Sequence, residues 1–558
     1  MIKVLGGLLG SAQPREKSYN HIAAAIRILE KKPEDPAHYR WARKVADTYQ
    51  LEKNHPLNQM LVGTLSKERR ERVEAPTAQA TKTSSQMSQK GLAPEAFIPY
   101  VQVYGENLYS IEVTEGSDDL FQAIAACCPN LTTFIFNESA STPSFDLTDA
   151  GLVFLTQIPL LTTLEFKAFN LFNVSSNGLE TLLSSPKLVS NLVHLTMNNA
   201  AFNDACYYPL SKYTQLQTLS IHGENLHYKT LSSYPVPTTV TSYTLSIGEL
   251  PRDLVTDDFL NALPVNLITL SINGSFKNVT SYGFSNAMKR LTKLEHFSIS
   301  SSPMQLFMLT AIKQPLKSLH LGDCSQLKQA DFADFFCTQT TLVDLTVGNA
   351  IHFTQIMSLP SGLQKLYLHA PNLKSLSGFP TAIHDLTLEG IEVVYDEFAE
   401  LHGIELFKLS ILNCPWFNGE SLKSVFKSHG ERITNLSLIG TSVDNDGLGW
   451  LADFTRLTTV ALGNLKATSI TGIINFLSDD RVAARTRNLY FCDLYVSNDL
   501  TDYFTAFENL RVLFIGNSLA GFPGPSDIFK NPTLIKNETI ISDWFGPSMY
   551  GKFLSEIK

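Results

Sequence analysis

Apolar residues recur along most of the chain at a first, a fourth and a sixth position, with polar residues between them. The fullest copy is Leu316-Lys317-Ser318-Leu319-His320-Leu321-Gly322-Asp323-Cys324. Close copies begin at Leu192, Leu216, Leu267, Leu342, Leu363, Ile383, Ile433 and Leu510. Weaker ones begin at Leu108, Leu131, Leu161, Ser242, Leu294, Leu406, Leu457 and Thr486. About 17 copies result, spaced about 25 residues apart. The fourth-to-sixth alternation predicts a short strand buried on one face. A second pattern fills the intervals: Leu147-Thr148-Asp149-Ala150-Gly151-Leu152, Val255-Thr256-Asp257-Asp258-Phe259-Leu260 and Val443-Asp444-Asn445-Asp446-Gly447-Leu448. A Thr or Asp ahead of an apolar run accepts from the free N–H groups of a first helical turn, so these stretches predict capped helices.

One such strand–helix unit cannot bury its own apolar side, but a stack of them can. The chain is therefore expected to be α/β, a solenoid with a parallel sheet on its concave side and helices or irregular turns on its convex side. The ninth position turns the chain inward and takes small side chains: Cys324, Cys414, Ser302, Ser518, Ala200, Ala350 and Thr441. Cys324 and Cys414 are accordingly read as buried structural thiols. In spacing and in these ninth positions, residues 104–520 resemble leucine-rich repeats. The capped stretches at 147–152, 255–260 and 443–448 resemble those of the cysteine-containing branch found in target-binding arms of F-box proteins and in ribonuclease-inhibitor-like proteins. That resemblance implies a fold and a way of working, since the repeat serves many unrelated partners.

Four segments are expected: 1–74 a small N-terminal helical module, 75–97 a flexible linker, 98–522 the solenoid, and 523–558 a C-terminal cap. Ile22, Ile26 and Leu29 share one helical face, Asp35-Pro36 opens a second helix, and Leu57, Met60, Leu61 and Leu65 mark a third. Residues 75–93 are rich in Thr, Ser, Gln, Ala and Lys, a linker composition. The apolar run near the start is broken by glycines and is too short for a convincing secretory signal.

The formal net charge is −9, which disfavours a nucleic-acid-coating protein. Residues 1–90 nevertheless carry 16 basic and 9 acidic side chains, a basic start on an acidic body. No run of about 18 apolar residues predicts a membrane span. The seven cysteines form no Cys-x-x-Cys pair, so neither a disulfide framework nor a zinc site is expected, and a reducing, cytoplasmic setting follows. No phosphate loop, His-Glu-x-x-His or Gly-x-Ser-x-Gly occurs. The expectation is a non-enzymatic scaffold that needs no metal or cofactor.

Function then falls to the sheet face, where positions 2, 3, 5 and 7 project. Six of the thirteen histidines fall there: His194, His222, His296, His320, His369 and His384. Such an array would tie binding to pH between about 5 and 8, although solvated strand residues would show the same placement. His296, His320, Lys365, Tyr367, His369, His384 and Asp385 form the polar part of the expected partner-binding surface. Tyr490 and Phe514 are its apolar anchors, because large aromatics carry disproportionate binding energy; the competing reading is that the C-terminal segment or the N-terminal helices fold over this strip. The partner is expected to be a protein, with the oligomeric state open. Two alternatives stand beside a plain scaffold. One is a substrate-recognition subunit of a ubiquitin-ligase complex, for which Trp41-Ala42-Arg43-Lys44 is only a distant echo of an F-box. The other is a bacterial effector acting in a host cell, with the basic start serving export.

Overall fold

The structure is a computed structural model. It describes residues 86–516, apart from 90–93, 138–145, 168–172, 199–200, 224–225, 227, 248–254, 357–358, 394, 493, 495–502 and 505, together with 540–544. The expected helical module at 1–74 lies outside the described residues, as does most of the expected cap.

The chain divides into two compact units, residues 1–267 and 268–558. The first holds strands β1 (Gln86–Ser88), β2 (Ser110–Val113), β3 (Thr133–Phe136), β4 (Thr163–Phe166), β5 (His194–Asn198), β6 (Thr218–His222) and β7 (Ser242–Ser246). Each pairs in parallel with the next. The second unit begins with β8 (Thr269–Asn273), β9 (His296–Pro303), β10 (Ser318–Asp323), β11 (Asp344–Val347), β12 (Lys365–His369) and β13 (Asp385–Glu389). It continues with β14 (Lys408–Leu412), β15 (Asn435–Ile439), β16 (Thr459–Gly463), β17 (Asn488–Cys492), β18 (Val512–Gly516) and β19 (Ile540–Trp544). These too pair in parallel with their sequence neighbours. Parallel strands stacked at one repeat each, with helices or turns between them, define a leucine-rich-repeat solenoid.

Residues at the first, fourth and sixth positions are buried, as the spacing requires; Leu316, Leu319 and Leu321 are all at most 1% exposed. Helices close the core from behind. Phe121, on the helix Asp118–Cys127, meets Phe134 and Phe136 edge-on at 5.2 and 5.7 Å. One copy shifts. The weak repeat read from Ser242 starts at Val240, which is buried with Tyr243 and Leu245, while Ser242 begins the strand. A tyrosine at the fourth position hid the register; its hydroxyl lies 3.5 Å from that of Tyr207.

The segment 75–97, expected as a linker, contains β1 and the start of the helix Pro94–Tyr104. β1 is held by polar groups, so composition did not reveal it. Ser88 Oγ donates to Glu112 at 3.0 Å, and the buried Gln89 side-chain oxygen accepts from the backbone N–H groups of Thr114 and Glu115 at 2.8 and 2.9 Å.

The predicted caps form and reach beyond their own helices. Thr148, Thr256 and Asp444 accept from first-turn N–H groups. The residue after one cap then holds the next repeat's cap. Asp118 accepts from Thr148 N and Oγ at 2.8 and 2.7 Å, Asp149 from Ser175 N and Oγ at 2.7 and 2.5 Å, and Asn445 from Ser469 N at 2.9 Å. Cys324 and Cys414 are buried at the ninth position, where burial raises both thiols, Cys414 to about 12. Ser302 at the same position accepts from Phe276 N at 3.1 Å.

The eighth position carries a rule of its own. Ser301, Asn349, Gly390, Asn413, Gly440 and Asn464 all sit there with φ between 43° and 67°. This left-handed turn ends the strand, and Asn and Gly are the residues that tolerate it best.

His429, at the end of the helix Gly419–His429, is 1% exposed. Burial dominates its titration and lowers the imidazole to about 4, against a partial offset from the Leu401 backbone. The unfolded chain takes up this proton near pH 6.5 and the native one only near 4. The stability is therefore fully present above about 6.5 and is lost as pH falls towards 4. Between pH 8 and pH 5 the loss is expected to be about 2 kcal/mol. Urea midpoints of wild type and His429→Leu across that range check this; parallel pH dependences would refute it.

Candidate binding face

Positions 3, 5 and 7 of each strand point away from the helices, onto what is here called the front face. Parallel pairing without stagger turns each position into a row across repeats. At position 3, Asp344, Lys365, Asp385 and Lys408 are successive partners in register on β11 to β14. Charge alternates along this row at a strand spacing of about 4.8 Å. Lys408 Nζ lies 3.4 Å from Asp385. Burial still raises the Asp385 carboxyl, with Lys408, Lys365 and His384 pulling the other way. The environment therefore works against this ion pair's charged state, and its value lies in geometry more than stability.

At position 5 the row runs His320, Thr346, Tyr367, Thr387. The Tyr367 hydroxyl donates to Glu389, a position-7 side chain one strand further on. Asn413, in the eighth-position turn, donates to the other Glu389 oxygen at 3.1 Å. Burial, and after it the charge and hydrogen bond of Glu389, hold the Tyr367 phenol well above its usual range. It stays a neutral donor at any physiological pH. His320, Asp344, Thr346, Lys365, Tyr367, Asp385 and Thr387 line a recess of about 250 Å³. Its floor is the sheet, and among the described residues no helix separates β11 from β12 or β12 from β13. These are the shortest repeats.

The structure thus brings four of the nine expected binding residues together: His320, Lys365, Tyr367 and Asp385. His369 ends the same strand as Lys365 and Tyr367, half-buried at position 7. His296 opens β9, opposite Ser318 of β10. His384 precedes β13, with its ring 6.1 Å from the exposed Phe407. Tyr490 and Phe514 stand apart on β17 and β18, their rings 6.3 Å from each other. They pack on an apolar cluster of Leu412, Ile439, Ala461 and Cys492. Asp344, Thr346 and Thr387 were not singled out from sequence as binding residues. The in-register row of alternating charge was the available signal for Asp344.

The front-face positions were expected to be exposed, and several of them from β13 onward are buried, Thr387 at 3% among them. Ser410, Leu412 and Ile439 are 0% exposed, whereas Ser271, Ser298 and Thr346 at the fifth position of earlier repeats are half-buried. Among the described residues no group of His, Cys, Asp and Glu is arranged to hold a metal ion. No helix among them is long and apolar enough to cross a membrane. Five of the seven cysteines are buried.

Repeat geometry alone places the chain among leucine-rich-repeat folds. No protein-family model matches it, and no curated protein does. Among solved structures it is similar to the yeast Rad7 and Elc1 complex, at 15% identity and a TM-score of 0.42, over 78% of this chain and 95% of that one. The TLR13–ssRNA13 complex gives 16% and 0.40, over 74% and 56%. An internalin (inlF) from Listeria monocytogenes gives 14% and 0.28, over 71% and 89%.

Proposed function

We propose that this chain is a non-enzymatic interaction scaffold that binds a protein partner on the front face at β10–β13. The observation that carries the reading is the recess itself. Four repeats converge charged, aromatic and hydroxyl side chains on one rigid sheet, and Tyr367 is fixed by Glu389 before any partner arrives. Preorganised groups of this kind lose little freedom on binding. Alternating Asp and Lys favour a partner whose own charges alternate, because like charges placed opposite would be rejected. The buried thiols of Cys206, Cys324 and Cys414 support a reducing, cytoplasmic setting. Cys324 and Cys414 at the ninth position support the cysteine-containing branch of the repeat.

Tyr367→Ala combined with His369→Ala is expected to weaken capture of the partner by at least about tenfold, or about 1.4 kcal/mol. The melting temperature should hold within a few degrees. Affinity purification with mass spectrometry, comparing full-length wild type and variant in reducing lysate, makes the measurement. Equal recovery of every specific partner would remove this face from the binding surface. Recovery of a ubiquitin-ligase scaffold alongside the lost partner would favour the substrate-recognition reading.

A further inference from the structure

The two aspartates of the position-3 row are served unequally. Lys408 lies 3.4 Å from Asp385, and the charge of Lys365 is felt at Asp385 as well. Asp344 is the register partner of Lys365 on the other side. Yet among the described residues no ion pair or hydrogen bond reaches the Asp344 carboxylate. Asp344 is half-buried, so it has given up part of its water without gaining a partner, which is a costly state for a carboxylate. Lys365 is exposed, with its ammonium at the rim where water already serves it.

The side chains of fixed charge around the recess show the same shortage. Asp344, Asp385 and Glu389 are negative, while Lys365 and Lys408 are positive. The face is one cation short, and the shortage sits at Asp344.

Shape narrows what supplies that cation. At about 250 Å³ the recess falls below the roughly 300–1,000 Å³ of pockets that enclose a whole small ligand. It suits one long side chain. Tyr367 stands one strand over from Asp344 and two residues along, a diagonal of about 8 Å. A side chain laid on that diagonal has its stem against the tyrosine ring and its head at the carboxylate. The ring is tethered at its hydroxyl by Glu389, so the platform is in place beforehand. Guanidinium matches the site better than ammonium, because its planar fork meets a carboxylate with two hydrogen bonds and stacks on aromatic faces.

We propose that the recess receives one arginine side chain of the partner, its guanidinium paired with Asp344 and its stem laid against Tyr367. Lys365, at the rim, meets an acidic neighbour of that arginine. This inference rests on the partner reading above and names the group the partner brings. Asp344 then sets how long the complex lasts, and Lys365 how fast it forms.

The Thr346 methyl group lies beside the site and reports on it. With full-length protein carrying labelled threonine methyls, titration with N-acetylarginine amide is expected to shift the Thr346 signal. N-acetyllysine amide should bind at least about threefold more weakly, and N-acetylglutamate amide should leave the signal in place. Asp344→Asn should weaken the arginine titration at least about tenfold with an unchanged melting temperature. Lys365→Gln removes a like charge beside the site and should tighten it. A Thr346 signal that ignores arginine, or that responds equally in Asp344→Asn, overturns the proposal. Partner capture separates the two readings. Capture lost with Tyr367→Ala and His369→Ala but fully kept with Asp344→Asn would overturn the arginine and leave the partner reading standing. Capture unchanged in both variants would overturn the partner reading itself.

Discussion

Leu409→Ala is expected to destabilise the second unit by about 2–5 kcal/mol, the usual cost of emptying a buried leucine site. Leu409 is fully buried at the fourth position of β14, in register between Leu386 and Leu436. Its side chain belongs to a column shared by three repeats, so no single neighbour can collapse into the space. Because each repeat touches only its neighbours, the loss should be local in its first appearance. Hydrogen exchange should accelerate most in β13, β14 and β15. Urea denaturation gives the magnitude. A shift under about 1 kcal/mol would mean that the column is not packed as described.

Gly348→Ala is expected to cost about 1–3 kcal/mol without touching any apolar contact. A methyl group on Gly348 would stand 2.2 Å from the carbonyl oxygen of Gly322 and 2.9 Å from its carbon. Both are backbone atoms of the neighbouring repeat, fixed by the bond from Gly348 N to Leu321 O at 2.7 Å. Relief requires two strands to move apart at the point where the chain leaves the sheet. Gly362→Ala is the matched control, because nothing lies within 4 Å of the added carbon. It should be close to neutral, or slightly stabilising through a less flexible unfolded chain. Thermal melts of the two variants side by side test the pair. Equal melting temperatures would refute the close-approach argument.

The repeat was legible in the sequence because its signal is burial by period. Leu, Ile and Val at positions 1, 4 and 6 have no other reason to recur. Val240 was lost where Tyr243 replaced leucine, since the pattern weighs residue types and a buried tyrosine paired to Tyr207 satisfies the core equally well. β1 escaped because Gln89 holds it through hydrogen bonds that no hydropathy pattern records. The eighth-position turn was written plainly as Asn349, Gly390, Asn413, Gly440 and Asn464, but it is a statement about φ, which becomes visible only when repeats are aligned on their strands. The recess was half legible. Position in the strand identified Lys365, Tyr367 and Asp385, while their grouping with Asp344 and Thr346 depends on strand neighbours.

The ladder of helix caps gives the molecule a direction in time. Asp118 completes the cap at Thr148, Asp149 the cap at Ser175, and Asn445 the cap at Ser469. In each case the earlier repeat supplies the acceptor and the later one receives it. A repeat emerging from the ribosome therefore finds its template already made, whereas one built from the other end would wait for it. Assembly that follows the order of synthesis keeps the growing edge of the sheet to one strand at a time, which limits the unpaired edge on offer to other chains.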